Sequence, residues 1–239
     1  MTRSYDHIHR SPRIRLVACL TVLFVWLGLS LSSTHGQTQL QMNDDAADHL
    51  QAADKKLNAT YNKIIQRNQK NKVFIAKLRA AETAWIAFRD AYLKSIFPAG
   101  GNDVYGSSYR MCYMSQEQVA TNTRIEQLDK YLSSISSFAD AEDRSKKEEG
   151  HLSSDYDKVL KIYPRQYLDV LRQSQSKFIA FRDKDSDAFA ALENPSQSRL
   201  RRFHQLAELN NQRSKDLHQW VEGTDQGNIC GGCIPRKSE

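Results

Sequence analysis

One helical pattern occurs twice along this chain around a shared string, and that repetition limits the fold more than any other feature. The string is AWIAFRD at Ala84–Asp90 and KFIAFRD at Lys177–Asp183. Around the first, Phe74, Leu78, Ala81, Trp85, Phe88 and Tyr92 follow at steps of three and four. That spacing lines one face of an α-helix. Ahead of it, Ala46, Leu50, Ala53, Leu57, Tyr61 and Ile64 form a second such stripe. Behind it, Val119, Asn122, Ile125, Leu128, Leu132 and Ile135 mark a third, opened by a capping box of Ser115 and Gln118. Pro98 closes the middle helix, because the residue before a proline is pushed out of the helical region. The Gly- and Ser-rich stretch that follows, AGGNDVYGSSYRMCYM, reads as a loop.

The anchors of these three helices return further along. Leu57 and Tyr61 are matched by Leu152 and Tyr156, Leu78 and Trp85 by Leu171 and Phe178, and Asn122, Arg124 and Leu128 by Asn211, Arg213 and Leu217. The offset falls from 95 to 93 to 89 residues, as expected if the second copy has shorter connections. The expected fold is therefore all-α: two tandem three-helix modules, at 40–136 and 150–222, packed as helical bundles. The charged, aperiodic segment 137–149 is expected as a linker, and 223–239 as a flexible tail carrying CGGC.

The N-terminus is of another kind. Arg3, Arg10, Arg13 and Arg15 precede the apolar run LVACLTVLFVWLGLSL, and small and polar residues follow. That order reads as a secretory signal peptide over residues 1–36, with cleavage expected after Gly36 and export to the periplasm or cell envelope. The rival is an uncleaved anchor, but Leu16–Leu31 is short of the roughly 20 residues that span a bilayer. Cys19 sits near the start of the run rather than at its end, so a lipoprotein reading fails. Residues 1–36 hold four Arg and one Asp. Without them the formal charge is +3 rather than +6. No Lys/Arg stripe with interleaved aromatics is seen, so nucleic acid is not an expected partner. A membrane enters only through the signal segment, were it retained.

Cys112, Cys230 and Cys233 remain after export. Cys230 and Cys233 form a Cys-x-x-Cys without the βαβ context of a redox site and without a second ligand pair for zinc. A local Cys230–Cys233 disulfide is expected; a link to Cys112 or a metal half-site are the alternatives. His49, His151, His204 and His218 are scattered, and none joins a nucleophile motif. Pairs such as Asp44–Asp45 and Glu148–Glu149 lie in polar stretches, where solvated surface is the default. No catalytic residue, cofactor or metal is expected.

ADKKLNATY (Ala53–Tyr61), AWIAFRDA (Ala84–Ala91) and the run Cys112–Leu128 occur in the order found in the LprI-type lysozyme-inhibitor family, and the chain resembles that family over 40–135. The resemblance implies a small exported helical domain that binds a protein and is not an enzyme. Two family cysteines are replaced here, by Asp45 and Leu93, while Cys112 is kept. The implied function is occlusion of a glycosidase cleft, and the loop residues Asp103, Tyr105, Tyr109 and Arg110 are the expected contacts. The alternative is a scaffolding module that binds other envelope proteins. Leu57, Asn58, Tyr61, Trp85, Phe88, Arg89, Asp90, Phe181, Arg182 and Asp183 are read as structural. Arg124 and Arg213 are expected to pair with Asp90 and Asp183, stitching the second and third helices of each module.

Overall fold

The computed structural model describes residues 38–133, 138–192, 195–225 and 227–235. The expected signal segment lies outside the described residues, as does Ile135. Within them are seven α-helices and no strand: α1 (Gln39–Arg67), α2 (Lys72–Ile96), the single turn α3 (Asn102–Tyr105), α4 (Tyr109–Asp129), α5 (Ala141–Ile162), α6 (Leu168–Ala190) and α7 (Ser198–Glu222). The protein is all-α. No helix among the described residues is long and apolar enough to cross a membrane.

Local chemistry sets the helix ends. The Asn71 side chain accepts from the Phe74 N–H (3.0 Å), which satisfies one of the orphan donors at the start of α2. Its amide also donates to the Ala191 carbonyl (2.9 Å), so one residue both caps α2 and ties it to the end of α6. α2 stops just before Pro98, and α7 stops at Gly223, whose φ of 81° suits a residue without a Cβ.

α2 and α6 lie along one another, so the two FRD helices meet. Phe88 stacks on Phe181 at 5.9 Å and meets Phe178 edge-on at 5.4 Å. α1 packs on α4, α5 packs on α7, and α7 also rests on α6. One continuous core joins Ile64, Phe74, Leu78 and Trp85 of the first half to Leu171, Phe178, Phe181 and Trp220 of the second.

The structure departs from the sequence expectations in three places. Residues 141–149, expected as linker, open α5. Ala141, Ser145, Leu152 and Val159 face the core, and the charges between them lie mostly on the outer face; small and polar inner residues hide the period. The third helix begins at Tyr109 rather than at a capping box on Ser115, and its inner face is Cys112, Thr121, Arg124, Ile125 and Leu128. Val119 and Asn122, expected inside, are exposed, because buried Thr121 and Arg124 occupy interior positions that an apolar count passes over. The segment after α7, expected as a flexible tail, is tied to the body through the Cys233 N–H to the Ile96 carbonyl (2.9 Å), and the Thr224 N–H to the Pro235 carbonyl (2.7 Å) closes the segment on itself.

Candidate functional site

Residues 98–114 form an edge in which a rigid aromatic base carries exposed polar residues. Phe97 is buried and meets Tyr105 and Tyr109 edge-on at 5.4 and 5.6 Å. Tyr105 stacks on Tyr109, and Tyr109 leans on Tyr113, each pair at 5.8 Å. Edge-on and offset ring pairs add to simple burial, so this ladder holds its shape. Above it Asp103, Val104 and Arg110 are exposed. Gly101, Asn102, Tyr109, Arg110, Tyr113 and Met114 line a shallow groove beside them. Asp103, Tyr105, Tyr109 and Arg110 thus share one edge, but not one loop: Asp103 and Tyr105 sit on α3, while Tyr109 and Arg110 belong to α4.

The C-terminal segment braces this edge from behind. Cys112 is bonded to Cys230, with Cα atoms 4.8 Å apart, and Cys233 is a free thiol. The expected Cys230–Cys233 bridge is not formed. The segment instead crosses the end of α2, where Gly232 comes so close to the Ile96 carbonyl that an added Cβ would stand 2.1 Å from it. The Cys233 thiol points at the Ser95 carbonyl (3.2 Å), which also accepts from the Tyr163 hydroxyl (2.7 Å). Burial pushes that thiol up to about 11, so it is not an activated nucleophile.

The third-helix arginines find other partners than the expected ones, while each FRD arginine bonds the aspartate beside it. Arg89 bonds its own neighbour Asp90 (2.8 Å) and Glu117 on α4 (3.2 Å), and lies over the Trp85 ring at 5.4 Å. Arg182 likewise holds Asp183 (2.9 Å) and reaches Asn210 (3.3 Å). Arg124 does not meet Asp90. It is fully buried and pairs with Glu82 on α2 and with buried Asp185 on α6 (2.7 Å). Asp185 also accepts from the Tyr131 hydroxyl (3.0 Å) and the Gln205 amide (2.7 Å). One carboxylate therefore binds α4, α6 and α7 together. Burial opposes the charge on Arg124, but Asp185 and then Glu82 outweigh it and raise its pKa.

Arg213 does not meet Asp183. Its Nε donates to Gln175 (3.2 Å), and its guanidinium lies 5.4, 5.2 and 5.8 Å from the Phe88, Tyr92 and Phe178 rings. Nη1 and Nη2 are buried without a hydrogen bond. Sequence reasoning missed Glu82, Tyr131, Gln175, Asp185 and Gln205. Glu82, Gln175, Asp185 and Gln205 are polar residues on α-helices and Tyr131 lies in the 3-10 turn Lys130–Leu132 after α4; apolar spacing has no signal for a buried polar partner.

Leu57, Asn58 and Tyr61 of α1 meet Arg79, Glu82, Trp85 and Ile86 of α2 around a second groove. Asn58 and Ile86 are exposed there, while Leu57 and Trp85 form its floor. Among the described residues no group of three His, Cys, Asp or Glu side chains converges in a way that would hold a metal.

These motif residues, gathered from α1, α2 and α4, fall within a stretch that matches a known family. Residues 31–128 match the family model described as lysozyme inhibitor LprI. This stretch is LprI-like. The LprI-like stretch takes in α1, α2, α3 and all of α4 but Asp129, and with them the 98–114 edge and Arg124. The second FRD string lies beyond it. No curated protein matches the chain. A crystal structure of an uncharacterized protein from Burkholderia thailandensis aligns with a TM-score of 0.40 at 12% identity, covering 81% of this chain and 96% of that one.

Proposed function

We propose that this is an exported protein of the periplasm or cell envelope that binds lysozyme and covers its cleft with the 98–114 edge. One observation carries the reading: the LprI-like stretch contains an exposed edge whose shape is fixed in advance by an aromatic ladder and the Cys112–Cys230 bond. A preformed edge loses little conformational entropy on binding, which is where much affinity is gained. Two catalytic carboxylates line a lysozyme cleft, and Arg110 is the cation placed to approach them, with Asp103 left for the basic rim. Tyr105 and Tyr109 act as the base that aims them.

We read residues 150–222 as a second, divergent copy of the first module. Support comes from matching positions: Trp85 and Phe178 are both buried, the two FRD helices face each other, and Arg124–Glu82 corresponds to Arg213–Gln175. The second copy then serves as the platform against which the first is held.

The test is lysis of bacterial walls by lysozyme in the presence of the mature protein. Inhibition is expected at micromolar protein, weakening as salt rises. Arg110→Glu and Asp103→Lys should each remove most of it without lowering Tm, since both residues are exposed. Deletion of 100–110 is unsuitable because it removes Tyr105 and Tyr109 from the core. No inhibition of several lysozyme types at low salt would leave the scaffolding reading in its place.

A further inference from the structure

α4 and α7 face each other across a pocket of about 180 Å³ whose floor is the aromatic contact between α2 and α6. Trp85, Phe88, Tyr92 and Phe178 form much of the floor, and Arg213 lies among the last three rings. Four glutamine amides, of Gln116, Gln127, Gln212 and Gln219, stand around the walls. From this arrangement we propose that the pocket is a binding site for a small carboxylate, held by the Nη1 and Nη2 groups of Arg213. It does not depend on the lysozyme reading.

The hydrogen bonding around Arg213 is incomplete. Arg213 is 1% exposed and its two terminal nitrogens have no acceptor. A buried guanidinium is costly unless its donors are met. The arginine at the corresponding place on α4 shows what such a group needs: Arg124 has Glu82 at its Nε and Nη2, and Asp185 at Nη2. Around Arg213 both carboxylates are gone. Gln175 stands where Glu82 does, and Tyr92 stands where Asp185 does. A neutral amide and a ring satisfy Nε and one face, and leave Nη1 and Nη2 buried without an acceptor.

Asp216 lines the same pocket, one turn along α7, and its charge acts on Arg213. It makes no hydrogen bond to the fork: both terminal nitrogens of Arg213 lack an acceptor, and the Asp216 carboxylate accepts from Gln212 (3.1 Å). The fork of a guanidinium matches a carboxylate or a phosphate in a bidentate pair, and a pocket of about 180 Å³ favours the smaller, planar group. The aromatic floor excludes water and strengthens the pair, and the glutamine amides suit a ligand that also carries amide or hydroxyl groups. Asp216 adds an acceptor for a donor on that ligand.

The experiment is calorimetric titration and thermal melting of the mature protein with acetate and succinate, against inorganic phosphate and chloride at equal ionic strength. A carboxylate is expected to bind and, at about a hundredfold excess over Kd, to raise Tm by roughly 5–10 °C. Gln175→Glu is the decisive variant, since it supplies the internal carboxylate that Arg124 already has. It should raise Tm without ligand and weaken carboxylate binding at least tenfold. Arg213→Lys should weaken binding by a similar factor. The proposal is overturned by equal carboxylate affinity in wild type and Gln175→Glu, by tighter binding of phosphate than of either carboxylate, or by no binding at tens of millimolar.

Discussion

Asp185→Ala should be among the most damaging single substitutions in the protein. The carboxylate is fully buried and accepts from Arg124 Nη2 (2.7 Å), the Tyr131 hydroxyl (3.0 Å) and the Gln205 amide (2.7 Å). Removing it leaves a buried guanidinium with Glu82 as its remaining carboxylate and strands the Gln205 amide, while the Tyr131 hydroxyl keeps the Asp185 backbone carbonyl (3.0 Å). Breaking a buried pair from one side costs about 3–5 kcal/mol, because the surviving charge is left without its counter-charge. In a protein of this size that is a fall in Tm of roughly 6–20 °C. Circular dichroism during heating and urea unfolding would both read it. Adding Arg124→Met to Asp185→Ala should restore much of the loss, since the stranded charge is gone. A loss under about 1 kcal/mol in the single variant, or no recovery in the double, would refute the view that this pair holds α4, α6 and α7 together.

Trp85→Ala should cost about 3–5 kcal/mol, as truncation of a large core aromatic does, because Trp85 is 4% exposed on the α2 core face; urea denaturation measures it. Cys112–Cys230 closes a loop of 118 residues, so Cys230→Ser should lose about 4–5 kcal/mol, matched by reductant on the wild type, while Cys233→Ser changes little. Gly232→Ala should lift the C-terminal segment off α2 at a cost of about 1–3 kcal/mol, because φ is +58° and the new Cβ would strike the Ile96 carbonyl; hydrogen exchange at the Cys233 amide reads the detachment. Glu208 is held below the ordinary carboxylate range: burial pushes it up, but its bond from Lys130 (2.6 Å) and the charges of Lys130 and Arg144 outweigh that. A lowered carboxylate contributes stability that is complete above its unfolded pKa of about 4.3 and is lost as pH falls through its lower folded value. Urea midpoints between pH 5 and 2 should therefore fall less steeply for Glu208→Gln than for the wild type, and equal slopes would contradict the assignment.

The sequence alone determined the all-α class and the core face and end of α2, but not α3 or the start of α4. The stripe Phe74–Leu78–Ala81–Trp85 is a local, periodic signal, and the structure buries all four side chains. The stop at Pro98 is equally local. The same reasoning located the loop edge and the FRD strings, because they are punctuated by Gly, Ser and a repeated motif. It could not find the start of α5, whose inner positions Ala141 and Ser145 carry no strong apolar mark. What only tertiary structure decided was pairing. Arg124 takes Asp185, 61 residues away, rather than Asp90, because α2 packs against α6 and brings the second half of the chain over α4's inner face. Cys230 takes Cys112 rather than Cys233 because its segment crosses the end of α2, where only Gly232 fits. Helix period is set by neighbours three and four residues away, whereas the partner of a buried charge or thiol is set by whichever helix the core brings alongside.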